Sequence, residues 1–418
     1  MREQKVIIIV VVSSILLILI LGLFLASVIR RVHHRVRYRR LDRLRDFYAG
    51  KIIADLDAGG GAALPDDYRA TPGSLEWQAV EDVLFPLMDD ERYKGEVRRL
   101  FSGLGYVSYY EDRLSSMNNV AKESAIDKLG RMESEASAAK LFPLLDDTDP
   151  AILSNAVRAL SKMGSKEGLR AVVDKLPFLL RQSLVARKTI ETALLNFGPA
   201  AVPVLIDEHG ESADPLVASC VLNTLSHFSP DTRAVFLAIE RLSDADPEVR
   251  SRALRVLARA EKNLPAHLPT LVLPLLSDPV WFVRLQAVKA AGALPSEQAA
   301  TAMGKLLFDP NWQVRSGAAL ALAELGDSAV DVFLDALTHY DAHARESVCE
   351  ELDRTGFTGR LIANLTSPEA AVREKSRQIL TIMRTAGFTA RIAEYLRTAA
   401  DDRTRSALRE LLAEGPRR

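Results

Sequence analysis

The chain has 418 residues, of which 26% are charged and only 6% aromatic, and its formal net charge is −1. That balance argues against a generic nucleic-acid binder, whose affinity rests on neutralising phosphates with Lys and Arg. Only two cysteines, Cys220 and Cys349, are present and they lie far apart, which excludes a disulfide framework and fits a reducing compartment.

Residues 1–29 read as an N-terminal transmembrane anchor. Val6 to Ile29 carries no charge, and as a helix it spans about 36 Å, more than the hydrocarbon core of a bilayer. A cleaved signal peptide is the competing reading, but the apolar run is too long for one and no small-x-small site precedes Arg30. Arg2 and Lys5 precede the run; Arg30, Arg31, Arg35, Arg37, Arg39, Arg40, Arg43 and Arg45 follow it. Basic flanks stay on the cytoplasmic side, so the expected topology is single-pass in the cell's inner (cytoplasmic) membrane, N-terminus out and body in the cytoplasm. Residues 30–57 carry a net +5, which leaves 58–418 at −7. Arg35, Arg37, Arg39 and Arg40 are candidate lipid contacts, since basic residues beside a membrane attract anionic headgroups; setting topology is the plainer role.

Residues 30–73 read as a basic juxtamembrane helix and a flexible linker. Leu41, Leu44, Tyr48, Ile52 and Leu56 recur at helical spacing, Gly59-Gly60-Gly61 ends the helix, and Pro65 and Pro72-Gly73 mark the joint. Residues 74–118 are helical but off-pattern, with Trp77, a Leu104-Gly105-Tyr106 turn and Tyr109-Tyr110; this suits the cap that hides the end of a helical stack.

From 119 to 400 a short theme repeats. Asp246-Pro247-Glu248-Val249-Arg250, Asp278-Pro279 leading to Val283-Arg284, and Asp309-Pro310 leading to Val314-Arg315 are successive copies. Asp149-Pro150 and Asp214-Pro215 are earlier echoes, and Ser367-Pro368 leading to Val372-Arg373 is a later one. The Asp-Pro starts at 214, 246, 278 and 309 lie 32, 32 and 31 residues apart, a period that marks a solenoid of helix pairs. Asp is expected as helix cap with Pro in the first turn, and Gly326 as a helix terminator. Small interior residues such as Ala287, Ala290, Ala318 and Ala321 are expected to let the two helices of a pair approach closely. Residues 401–418 read as a closing helix and a basic tail.

These copies resemble HEAT repeats, in particular the short bacterial type called phycobilisome-lyase-like, over roughly 119–400. The resemblance is sharp in 246–326 and blurred in 177–213 and 338–366. It implies an all-α, HEAT-like α-solenoid, here preceded by one transmembrane helix. It also implies that Asp246, Asp278 and Asp309 link neighbouring loops with Arg250 or Arg252, Arg284 and Arg315. Asn155 and Cys220 stand at the equivalent arginine position in two copies, where the ladder is expected to break. The layout as a whole looks like that of bacterial membrane-anchored HEAT-repeat proteins, regarded as assembly or regulatory accessories, some near membrane-bound glycosyltransferases.

No sequence signature for chemistry emerges. Gly59–Gly61 lacks the preceding strand and following lysine of a phosphate loop, and neither a Gly-x-Ser-x-Gly elbow nor a His-Glu-x-x-His pair occurs. His339 and His343, with Asp341, Glu346 and Glu350 near by, have metal-like spacing, but they straddle an inter-helix turn. Cys220 and Cys349 suit small core residues better than nucleophiles. No catalytic, cofactor or metal site, no small-molecule substrate and no nucleic-acid partner is therefore expected. Trp281 and Trp312 hold the same repeat position; they either pack over their loops or form an exposed protein-contact surface. The expected function is a membrane-tethered, cytoplasm-facing scaffold for a protein partner, with an anionic-lipid-responsive regulator and a HEAT-like lyase as alternatives.

Overall fold

A computed structural model of the chain describes residues 2–58, 68–260, 264–294, 297–339, 342–399 and 401–413, with the backbone alone given at 2–18, 20, 34, 339 and 343. Every regular element among the described residues is a helix. The chain forms two compact units, one of Met1–Val172 with Leu184–Phe197, the other of Val173–Ser183 with Gly198–Arg418.

The first unit begins with a single helix, α1 (Arg2–Asp57), of 56 residues. No proline interrupts that stretch, so the hydrogen-bond ladder runs unbroken for about 84 Å at 1.5 Å per residue. The amphipathic stretch from 41 is thus the continuation of the apolar one, not a separate helix. Its expected stripe is the covered one: Leu41 and Ile52 are buried, while Leu44, Tyr48 and Leu56 are half-buried.

That stripe packs against α2 (Leu75–Leu87). Arg45 donates to Asp82 through Nε at 3.0 Å and Nη2 at 2.5 Å, and Arg40 reaches Glu76 at 3.3 Å. Residues 59–67, the core of the expected linker, lie outside the described residues; the helix before them is docked on the helix after them. Beyond the gap, Tyr68 is buried and donates its hydroxyl to Asp55. Ser74 then caps α2 by accepting the Trp77 N–H at 3.0 Å.

Next come α3 (Lys94–Gly103) and α4 (Tyr106–Arg113), joined at Gly105, whose φ is +87°. Their core is aromatic. Trp77 lies 3.8 Å from Tyr106 between ring centroids, and Phe101 packs on both Phe85 and Tyr106. Helix α5 (Asn119–Arg131), capped by Asn118, closes over them. Glu81 is buried, and its carboxylate accepts from Tyr110 Oη at 2.6 Å and from Lys128 Nζ at 2.5 Å. One side chain thereby joins α2, α4 and α5. Burial, followed by the Glu81 carboxylate, raises the Tyr110 hydroxyl well above the ordinary tyrosine range.

The helix Pro150–Met163 stacks on α5, and Gly130 sets how closely. A Cβ there would lie 2.7 Å from the Ala159 Cα, inside any normal contact.

The second unit repeats a pair of helices. Pro215–Leu225, Pro247–Ala258, Trp281–Gly292, Trp312–Glu324 and Ala342–Arg354 stack in succession. Shorter helices such as Thr232–Glu240, Glu297–Lys305 and Val330–His339 return between them. Each first helix turns an apolar face inward: Val249, Ala253, Leu254, Val256 and Leu257 are buried in one, and Val314, Ala318, Ala319 and Leu322 in another. At the glycines the close approaches run between neighbouring repeats, not within a pair: Gly292 faces Ala321, Gly317 faces Leu285 and Gly304 faces Val332. Gly326 ends its helix with φ +68°, as expected.

Asp402–Ala413 closes the described chain and buries Leu408 and Leu411, with Asp401 accepting the Thr404 N–H at 2.8 Å. The expected tail, 415–418, lies outside the described residues.

Candidate protein-contact site

The expected caps divide into two kinds. Asp149, Asp214 and Asp246 cap helices that begin at the following proline. Asp278 and Asp309 do not: their helices start later, behind Val280 and Asn311. The residue of the Asp246 repeat that matches them is Asp244, because Arg250 donates to the Asp244 carbonyl as Arg284 does to that of Asp278 and Arg315 to that of Asp309. Arg373 repeats the bond to the Ser367 carbonyl. In every case the arginine lies six residues after its acceptor.

With its remaining nitrogens this arginine grips the next repeat. Arg250 donates through Nε and Nη2 to Asp278 at 2.9 and 3.1 Å. Arg284 does the same to Asp309 at 2.7 and 2.8 Å. The two aspartates are also held by their own turns, Asp278 by the Val280 N–H and Asp309 by the Asn311 N–H, each at 2.9 Å. Burial alone would raise the Asp309 carboxyl. Arg284 and the Asn311 N–H outweigh it and hold the group below the usual carboxylate range.

The ladder arginine is therefore Arg250 and not Arg252, whose guanidinium instead pairs with the side chains of Asn223 and Glu248. By the same count the interruptions fall at Leu153 and Ala218, not at Asn155 and Cys220. In the first unit Lys122 takes the arginine's place, 3.8 Å from Asp147.

This turn carries the tryptophan pair. Trp281 and Trp312 each stand three residues after a ladder aspartate, as the first residue of a helix. Trp281 is 38% exposed and edge-on to Phe282; Trp312 is 64% exposed. The backbone below each ring is pinned by the aspartate side chain and by the arginine bond to the two preceding carbonyls. Of the two roles expected for the pair, packing over the loop does not describe Trp312.

Arg35, Arg37, Arg39 and Arg40 are exposed along α1, more than 240 residues from either tryptophan of the repeats in sequence. Cys220 and Cys349 are buried and unbridged, and burial pushes the Cys349 thiol up to about 12. The metal-like spacing at His339 and His343 falls on side chains outside the described residues. Among the described residues no group of His, Cys, Asp and Glu is placed to hold a metal ion. The sequence reading missed Glu81 and Lys128, which hold the first helices together. Their only sequence signal is a charged residue on an otherwise apolar face.

Open grooves also lie on the surface of the described residues. One, of about 710 Å³, lies between Glu297–Lys305 and Val330–His339 and is lined by Glu297, Thr301, Lys305, Asp331 and Asp335. Another, of about 730 Å³, is lined by Asp207, Glu208, Glu211, Arg233, Phe236 and Glu240. Both carry more acid than base.

Three stretches of the chain match the family model for HEAT repeats. They are residues 110–182, 236–309 and 300–360. The first HEAT match begins inside α4, before the expected start at 119, and the last takes in most of the stretch where the repeat looked blurred. No curated protein matches the chain. Among solved structures, an engineered protein is 20% identical, with 74% of this chain and 99% of that one covered at a TM-score of 0.36. Kap121p is 13% identical at a TM-score of 0.43, with 86% of this chain covered and 46% of Kap121p. Kap121p bound to Nup53p is likewise 13% identical at 0.43, with 85% and 46% covered. The chain spans less than half the length of Kap121p.

Proposed function

We propose that this chain is a membrane-tethered, cytoplasm-facing scaffold that holds a protein partner on its HEAT-like repeats as an accessory of a membrane complex. HEAT-type helical stacks typically act as non-catalytic binding surfaces. The observation that carries the reading is the presentation of Trp281 and Trp312 at matching positions on ladder-pinned turns. An exposed aromatic ring on a rigid backbone loses little entropy when a partner covers it, and Trp is enriched among residues that dominate binding.

The tether rests on α1. Leu19, Leu21, Leu23, Phe24, Leu25, Val28 and Ile29 are all exposed, and an apolar surface on every side of a helix suits lipid better than water. Among the described residues no single helix is long and apolar enough to cross a membrane; most side chains of the expected span, 6–29, lie outside them. The inward orientation follows from the eight arginines after that span.

The test is capture of partners from gentle-detergent extracts by the full chain beside its W281A/W312A variant. The reading expects a stoichiometric protein retained by the full chain and lost at least about tenfold by the variant, as befits two hot-spot residues. Equal retention by both would sink the tryptophan site, and alkaline carbonate releasing the full chain from membranes would sink the tether.

A further inference from the structure

The arginines that follow the apolar stretch of α1 are arranged as a collar, and their arrangement selects one kind of ligand. Arg30, Arg31, Arg35, Arg37 and Arg39 are exposed, and none has a carboxylate partner among the described residues. No Asp or Glu occurs between Glu3 and Asp42, so the helix itself offers these arginines no acid. Farther along, the pattern changes: Arg40 reaches Glu76, and Arg45 is held by Asp82 and Asp42. The folded body begins at Leu41, where α2 covers the helix.

At about 100° per residue, Arg30, Arg31, Arg35, Arg37 and Arg39 sit at roughly 0°, 100°, 140°, 340° and 180° around the axis. They leave open the arc from about 180° to about 340°, where Arg40 stands with its guanidinium on Glu76. A groove on a protein partner reads one stripe of a helix. Charge spread over more than half of the circumference matches surroundings that are anionic on several sides at once.

Depth agrees with that. From Arg30 to Arg40 the helix rises about 15 Å. The headgroup zone on one side of a bilayer is about 5–7 Å thick, and the surface potential extends about 8 Å farther at physiological salt. The collar therefore fills the headgroup zone and the ionic layer beyond it, and stops where the protein body starts.

We infer that residues 30–40 form a binding collar for anionic phospholipid headgroups, which gathers such lipids around the helix and seats the first unit, docked on α1 through α2, beside them. This rests on the membrane-anchor reading above. Because α1 runs unbroken into its contact with α2, lipid captured by the collar is coupled to the position of the folded unit.

The experiment reconstitutes the full chain into phosphatidylcholine vesicles containing trace spin-labelled phosphatidylglycerol or spin-labelled phosphatidylcholine. The fraction of each label that is motionally restricted by the protein is then compared. The collar predicts an anionic-over-neutral preference of about threefold or more, falling towards unity in about 1 M salt. Replacing Arg30, Arg31, Arg35, Arg37 and Arg39 with Gln should abolish the preference, while replacing the same five with Lys should keep it. An inserted chain with equal restriction of both labels, or a preference that survives the Gln variant, would overturn the collar and leave the anchor intact. A chain that does not insert into the vesicles would overturn the anchor reading, and the collar with it.

Discussion

Arg250 and Arg252 sit two positions apart on one helix and serve different partners. Arg250 bonds its own turn and Asp278 of the next repeat, whereas Arg252 turns to Asn223 and Glu248. From sequence either fitted the signature, because the Asp-Pro pairs recur at almost equal intervals. The intervals mislead. Asp246-Pro247 opens a helix directly, while Asp278-Pro279 precedes its helix by a turn, and only the guanidinium bonds to the Asp244, Asp278 and Asp309 carbonyls reveal the common register. The Arg284–Asp309 pair is nearly enclosed, with side-chain exposures of 14% and 3%. Removing the Asp309 carboxylate leaves Nε and Nη2 of Arg284 and the Asn311 N–H without their acceptor, so Asp309→Ala should cost about 3–5 kcal/mol in urea unfolding at pH 7. The sign of the pH dependence follows from the lowered Asp309 carboxyl. Its stabilising contribution is fully present above the unfolded value of about 3.9 and is lost as pH falls through the lower folded value. The wild type should therefore lose stability below about pH 4 more steeply than Asp309→Asn, and parallel acid-unfolding curves would count against the ladder as a source of stability.

Helix α1 shows what can be read from periodicity at the scale of an element and what cannot. The stripe Leu41, Leu44, Tyr48, Ile52 and Leu56 was legible, and it is the face covered by α2. The docking itself was not, because three glycines and two prolines in 59–72 look like a release point however the flanking helices pack. If α1 is held as described, Leu41→Asp with Ile52→Asp should raise amide hydrogen exchange across 41–57 by about tenfold or more while leaving the helices of the second unit protected. Close packing between repeats has its own test. Gly130→Ala places a Cβ against the Ala159 backbone and should cost about 1–3 kcal/mol. Gly50→Ala, with open space around it on α1, should gain about 0.5–1 kcal/mol from helix propensity. Opposite signs in thermal unfolding would support the geometry; two gains would place the helices farther apart.

For the whole molecule, the all-helical repeat plan was legible because each copy must solve the same burial problem, and the solution leaves a period in the sequence. The candidate site was legible only in part. The spacing of Trp281 and Trp312 gave the matching positions, but exposure depends on how neighbouring turns pack, which no local pattern encodes. Glu81 was missed for the same reason, since its partners Tyr110 and Lys128 lie 29 and 47 residues away. A protein partner that meets the chain at the Trp281 and Trp312 turns must lie within reach of either side chain. The most direct measurement places a photo-crosslinking amino acid at position 312 of the full chain in membranes, beside a control at position 117. Met117 is 99% exposed and plays no part in the proposed surface. A partner seated on these turns should give one discrete protein adduct from position 312 and none from position 117. Equal adducts from both positions, or none from 312, would contradict that placement.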